Sequence, residues 1–125
     1  MKLTENFALK EFLVGNEDAV PTKEQMVNMV IVANRLQVLR DIYGPIHINS
    51  GFRTYEHNET VQIAANPDYI SGTSASYHML GMAVDITIKG MTPEQVQQLL
   101  ANWSGGLGSY KTFTHVDIRG NQARW

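Results

Sequence analysis

The feature that most limits how this chain can fold is the run Ala83-Val84-Asp85-Ile86-Thr87-Ile88, an apolar strand pattern broken by a single carboxylate. A strand with so little polar character is buried. An unpaired carboxylate inside it would cost several kcal/mol, so Asp85 must meet a cation or strong hydrogen-bond donors. A metal ion would satisfy it. Phe113-Thr114-His115-Val116-Asp117-Ile118 reads as a second strand, and a period of two puts His115 and Asp117 on one face with Phe113. If the two strands are neighbours, Asp85 and His115 come within ligand distance of each other.

His78 completes a candidate set. It lies too far before Asp85 to touch the same ion along one strand, so it must return through a turn, for which Gly81 is suitably placed. Two imidazoles and a carboxylate are a usual ligand set for a hydrolytic Zn²⁺, because three protein ligands leave a fourth position for water. The opposing reading is plain: taken alone, His78 is a surface or satisfied structural histidine, and three common residues at loose spacing make a weak motif.

Along the rest of the chain, Phe7, Leu9, Phe12 and Leu13 anchor a first segment expected to pack as a short helix or irregular arm, followed by a loop from Gly15 to Pro21. Thr22-Lys23-Glu24-Gln25 has capping-box spacing, and Met26, Met29, Val30, Ala33 and Leu36 follow at helical intervals, predicting a helix that Gly44-Pro45 stops near Tyr43. Its methionines fit one buried stripe better than a binding surface. Ile46-His47-Ile48-Asn49-Ser50 alternates like a strand, and Gly51 turns the chain so that Arg53 points away from the sheet. Tyr55 to Thr73 reads as a long surface excursion with one helical turn near Asn58 to Ala64. Thr92-Pro93-Glu94-Gln95 opens a further helix burying Val96, Leu99, Leu100 and Trp103. Ser104-Gly105-Gly106-Leu107-Gly108 reads as a flexible connector; it lacks the lysine and following helix of a phosphate loop.

The ordered blocks Ser50-Gly51-Phe52-Arg53-Thr54, Asn58, Ser76-Tyr77-His78, Gly81-Met82-Ala83-Val84-Asp85-Ile86, Gly106-Leu107-Gly108 and Thr114-His115-Val116-Asp117-Ile118-Arg119-Gly120, with Ala123-Arg124-Trp125, resemble the M15 zinc peptidases. These are D-alanyl-D-alanine carboxypeptidases and peptidoglycan endopeptidases, and the likeness is to short members found in phages and prophages. It covers nearly the whole chain. The resemblance implies an α+β fold of the hedgehog and DD-peptidase type, a small mainly antiparallel sheet with helices packed on it. It implies Zn²⁺ held by His78, Asp85 and His115, and hydrolysis of a peptide bond in peptidoglycan. Arg53 would bind a substrate carboxylate or carbonyl, for which a guanidinium is suited as a planar fork that stays charged; read from the sequence alone, the same arginine serves equally as a salt-bridge partner. Ser76 would fix the loop around His78.

Two departures from the family pattern stand out. Many M15 enzymes carry Glu or Asp three residues before the last zinc histidine as the general base, and here that residue is Thr112. Asp117 is the substitute candidate, with orientation of His115 as its competing role; Glu56, His57 and Glu59 are further candidates if their loop folds over the metal. The segment Ala64 to Ile70 is bulkier than the short glycine-containing turn relatives place before the Ser-x-His block, which alters the rim of the cleft. Two other classes remain: an inactive zinc-binding wall-recognition or virion module, and a peptidoglycan amidase.

Composition bounds the partners. A chain of 125 residues fits one domain over 1–125 that can bury its own core. No cysteine is present, so a metal must be held by histidine and carboxylate. A formal charge of −2 with scattered Lys and Arg gives no electrostatic case for nucleic acid or an anionic membrane surface. The first residues lack the apolar core of a signal peptide and no stretch approaches a membrane span. A monomer is therefore expected, made in a cytoplasm and acting on the wall after release or export.

Overall fold

A computed structural model describes all residues from Met1 to Trp125. The elements in order are α1 (Leu9–Phe12), α2 (Lys23–Tyr43), β1 (Ile46–Ser50), α3 (Tyr55–Ala65), a 3₁₀ turn (Tyr77–Leu80), β2 (Ala83–Ile88), α4 (Pro93–Leu99), β3 (Gly106–Ser109), β4 (Thr114–Asp117) and β5 (Ala123–Arg124). The five strands form one sheet in the order β1-β2-β4-β3-β5. All pairings are antiparallel except β3 with β5. The fold is α+β.

Local chemistry accounts for the helix ends. The Thr22 hydroxyl accepts from the Gln25 backbone N–H while the Gln25 side chain accepts from the Thr22 N–H, and Gly44, at φ 98°, ends α2. Thr92 and Gln95 repeat the same box at α4, with Pro93 in the first turn. The core lies between α2 and one face of the sheet, where Met29, Val32, Ala33 and Leu36 join Phe7, Phe12, Ile86, Ile88 and Val116. Met26 packs at its edge, so the helix methionines that can be placed there serve packing.

Two expectations are corrected. The excursion after Arg53 is not one helical turn but the three-turn helix α3, started by Thr54, whose side chain accepts from His57 N–H. Its only buried residue is Asn58, so there was no apolar stripe to read. The glycine-rich connector is strand β3, paired to β4 on one side and β5 on the other. Its glycines answer close approach: a Cβ on Gly106 would lie 2.2 Å from the Asp117 carboxylate, and one on Gly108 would lie 2.6 Å from the Trp125 indole.

Candidate metal centre

Register brings the first two ligands together. Asp85 and His115 are directly opposed Cα partners on β2 and β4, and the His115 Nδ1 lies 3.1 Å from Asp85 Oδ1. His78 arrives from the 3₁₀ turn, which Ser76 caps by accepting from His78 N–H and Gly81 closes in the left-handed region at φ 73°. The N-terminal half of α2 holds that turn in place, since Gln25 Nε2 donates to the Met79 carbonyl and Asn28 Nδ2 to the Leu80 carbonyl. His78 Nε2 then sits 3.4 Å from the same Asp85 oxygen. All three residues are buried and their ligand atoms lie within 4.8 Å of one another.

The donor set fits a metal. His78 Nδ1 is 2.8 Å from the Gly51 carbonyl, which can only accept, so Nδ1 carries the hydrogen and the Nε2 lone pair faces Asp85. His115 Nε2 likewise donates to Asp117 Oδ2 at 2.8 Å, leaving Nδ1 toward Asp85. Two imidazole lone pairs converging on one carboxylate need a cation between them. Tetrahedral bonds of about 2.0 Å set neighbouring ligand atoms about 3.3 Å apart, close to the 3.1 and 3.4 Å that separate the two imidazole nitrogens from Asp85 Oδ1.

The charges are tuned accordingly. Burial opposes ionisation of Asp85, but the His115 and His78 rings beside it outweigh burial and hold the carboxyl down at about 2. For His115, burial opposes protonation, yet the hydrogen bonds to Asp117 and Asp85 raise its pKa above the ordinary 6.5. That raised value stabilises the metal-free fold below 6.5 and the contribution is lost as pH rises through the folded-state pKa. A metal competes with the same proton. Thermal midpoints measured with and without chelator across the histidine range should therefore diverge: the metal-free protein loses stability as pH rises, and the difference made by metal grows.

Asp117 is placed differently from a base. It is fully buried and accepts from Gly106 N–H at 2.9 Å, from Arg119 Nε at 2.9 Å and Nη2 at 2.7 Å, and from His115. Burial acts against its ionisation, but His115, Arg119 and Gly106 hold it well below the usual carboxylate range. Its oxygens are occupied and it does not line the cleft. Asp117 is thus engaged with His115 at 2.8 Å, as the orienting role requires, and lies outside the cleft lining. Glu59 and His57 are also turned to other work. The Glu59 carboxylate accepts from Tyr69, Ser71, Gly72 and Tyr55, tying the segment after α3 back to that helix, and His57 Nδ1 pairs with Asn16 Nδ2. Glu56 is exposed on α3 and outside the cleft. Thr112, on the turn before β4, is exposed and outside it too.

Above the three ligands opens a cleft of about 560 Å³, walled by Arg53, Tyr77, Tyr110, Phe113, Arg119 and Trp125, with Ser74 and Ser76 on one side. Asp85 is the only carboxylate among its lining residues. Arg53 is clipped to the His78 loop through its own N–H, which donates to the His78 carbonyl. Its guanidinium reaches Ser50 at 3.2 Å and Asn58 and Asp85 at 3.5 Å, contacts loose enough to leave donors for a ligand. Burial lowers its pKa, against the opposing fields of Asp85 and Tyr110.

The sequence model of the family described as Peptidase M15 matches residues 5–117. The chain belongs to the M15 peptidase family. The match takes in the 3₁₀ turn, β2 and β4, and so all three ligands; M15 peptidases are metal-dependent, and the buried His–Asp–His group is where this member could bind its metal. A search of curated proteins finds no match. No helix is long and apolar enough to cross a membrane.

Proposed function

We propose that this M15 metallopeptidase is a zinc enzyme that hydrolyses peptide bonds in bacterial peptidoglycan. The observation that carries the reading is the convergence of His78, Asp85 and His115 at the floor of an open cleft, with protein ligands on one side only. His78, Asp85 and His115 would hold the zinc, which would supply Lewis acidity toward a carbonyl oxygen and make water acidic enough to attack near neutral pH. The chain's own residues do the rest. His78 and His115 keep their hydrogens on the outer nitrogens through Gly51 and Asp117, so both inner lone pairs are available without rearrangement. Arg53 offers guanidinium donors beside Asp85 to a substrate carboxylate or peptide carbonyl, holding the scissile bond over the ligands. Ser76 fixes the turn that presents His78.

The test is digestion of purified muropeptides by zinc-loaded protein, read by mass spectrometry. Release of D-alanine or of a new stem-peptide amine supports the reading, and the termini formed distinguish carboxypeptidase from endopeptidase or amidase cleavage. Intact muropeptides beside a wall hydrolase that cleaves them would sink it.

One observation favours a second reading, a zinc-binding wall-recognition module without turnover: no carboxylate lines the cleft apart from Asp85, and the usual position of the base is Thr112. Retention of the protein on insoluble peptidoglycan with no product formed would select it.

A further inference from the structure

A peptidase cleft stabilises the substrate carbonyl oxygen as it gains negative charge, and donors besides the Arg53 guanidinium add to that stabilisation. The cleft's other polar groups differ in how they are held. The Ser76 hydroxyl accepts from His78 N–H, and Ser74 accepts from Asn58. Arg119 is bidentate on Asp117 and sits over the faces of Tyr77 and Trp125, at 4.4 and 5.1 Å. Gln62 and Tyr77 line the wall, but no hydrogen bond fixes either side chain.

Tyr110 is a further neutral donor, and one whose ring is held in place. It lies on the turn between β3 and β4, and its ring stacks on Phe113 with centroids 4.5 Å apart and planes 13° from parallel. Its oxygen accepts the Trp125 indole N–H at 3.0 Å. Trp125 is itself held, because its carbonyl accepts from Ser109 N–H and its indole lies against Gly108. The same indole is 5.1 Å, centroid to centroid, from the His115 ring, and Tyr110 lines the same cleft as His78, Asp85 and His115. With its oxygen accepting from Trp125, the phenol has no acceptor within the protein for its own hydrogen, which is left for a group bound in the cleft.

We propose that Tyr110 is a catalytic residue whose hydroxyl donates a hydrogen bond to the carbonyl oxygen of the scissile peptide as it becomes tetrahedral. This rests on the peptidase reading of the cleft but not on peptidoglycan as the substrate. Stacking and the indole bond preorganise the donor, so it need not reorient when charge develops. No bond to Tyr110 forms or breaks; its proton stays on the phenol throughout.

Tyr110→Phe, at an exposed site that keeps the ring stack, tests this in three readouts. Zinc affinity, measured by chelator competition, should be unchanged. Affinity for a dipeptide phosphinate, the tetrahedral mimic of a dipeptide that the wild-type protein is first shown to bind, should fall about a hundred-fold by calorimetry, while affinity for the corresponding uncleavable planar amide analogue should hold. The kcat for a cleaved peptide should drop about 10² to 10³-fold with KM little moved. Equal loss for the planar and tetrahedral ligands, or unaltered phosphinate binding, would overturn the assignment. Wild-type protein that distinguishes the phosphinate through Tyr110 yet leaves muropeptides intact supports Tyr110 and removes only the peptidoglycan reading.

Discussion

Asp85→Asn should leave a folded protein that no longer holds metal and no longer hydrolyses peptides. Asparagine keeps the shape of the side chain between β1 and β4 and can still hydrogen-bond within the site, so the metal-free protein should fold, with a lower thermal midpoint because the ionised carboxylate that faces Arg53 and His115 is gone. What disappears is the negative charge on which both histidines converge, with Nδ1 of His115 at 3.1 Å and Nε2 of His78 at 3.4 Å. A neutral amide oxygen is a poor replacement for a carboxylate at a divalent cation. Metal analysis after gel filtration should fall from one ion per chain to none, and hydrolysis by at least about a thousand-fold. Retained stoichiometric metal would show that the ion sits elsewhere, and the site built on these three residues would have to be abandoned. Ser76→Ala offers a contrast, since the 3₁₀ turn that presents His78 is also held by Gln25 and Asn28 from α2.

The residues that converge on the candidate site were more legible in the sequence than the elements around them. A carboxylate within an apolar strand has few physical solutions, and alternation along Phe113 to Ile118 was enough to put His115 and Asp117 side by side; their 2.8 Å contact is what that alternation predicts. The turn at Gly81 was needed for His78 to return, and a left-handed glycine is there. The roles were harder. Whether Asp117 takes protons or orients an imidazole depends on which groups occupy its two oxygens, and Gly106 and Arg119 reach it through tertiary packing that no local pattern encodes. Helix α3 was underestimated because its outer faces meet solvent at the cleft rim, so it carries no apolar period. The segment Gly106-Leu107-Gly108 was misread for the opposite reason. Glycine in a strand ordinarily argues for a turn, but here it marks where another group comes too near for any side chain.

That close approach gives the second large effect. Gly106→Ala should lower stability by about 3 kcal/mol, a drop of roughly 10 °C in thermal midpoint, and weaken metal binding although position 106 touches no ligand. The new Cβ would fall 2.2 Å from Asp117 Oδ2 and 2.6 Å from its Cγ. A flexible side chain could swing away, but Asp117 is held by the Gly106, His115 and Arg119 donors and is fully buried. Relief must come either from β3 separating from β4 or from Asp117 leaving His115, and the second frees the imidazole to rotate away from Asp85. A ten- to hundred-fold loss of zinc affinity is expected, roughly the scale at which outer hydrogen-bond partners of metal ligands act. Gly120→Ala is the matched control, because nothing lies within 4 Å of the Cβ it would add. The decisive measurement is a double-mutant cycle. If the clash with Asp117 is the cause, Gly106→Ala should cost little more once Asp117→Ala has already removed the carboxylate, giving a coupling of at least about 1 kcal/mol. Additive losses would place the damage in the β3 backbone and detach Asp117 from the account of how His115 is aimed.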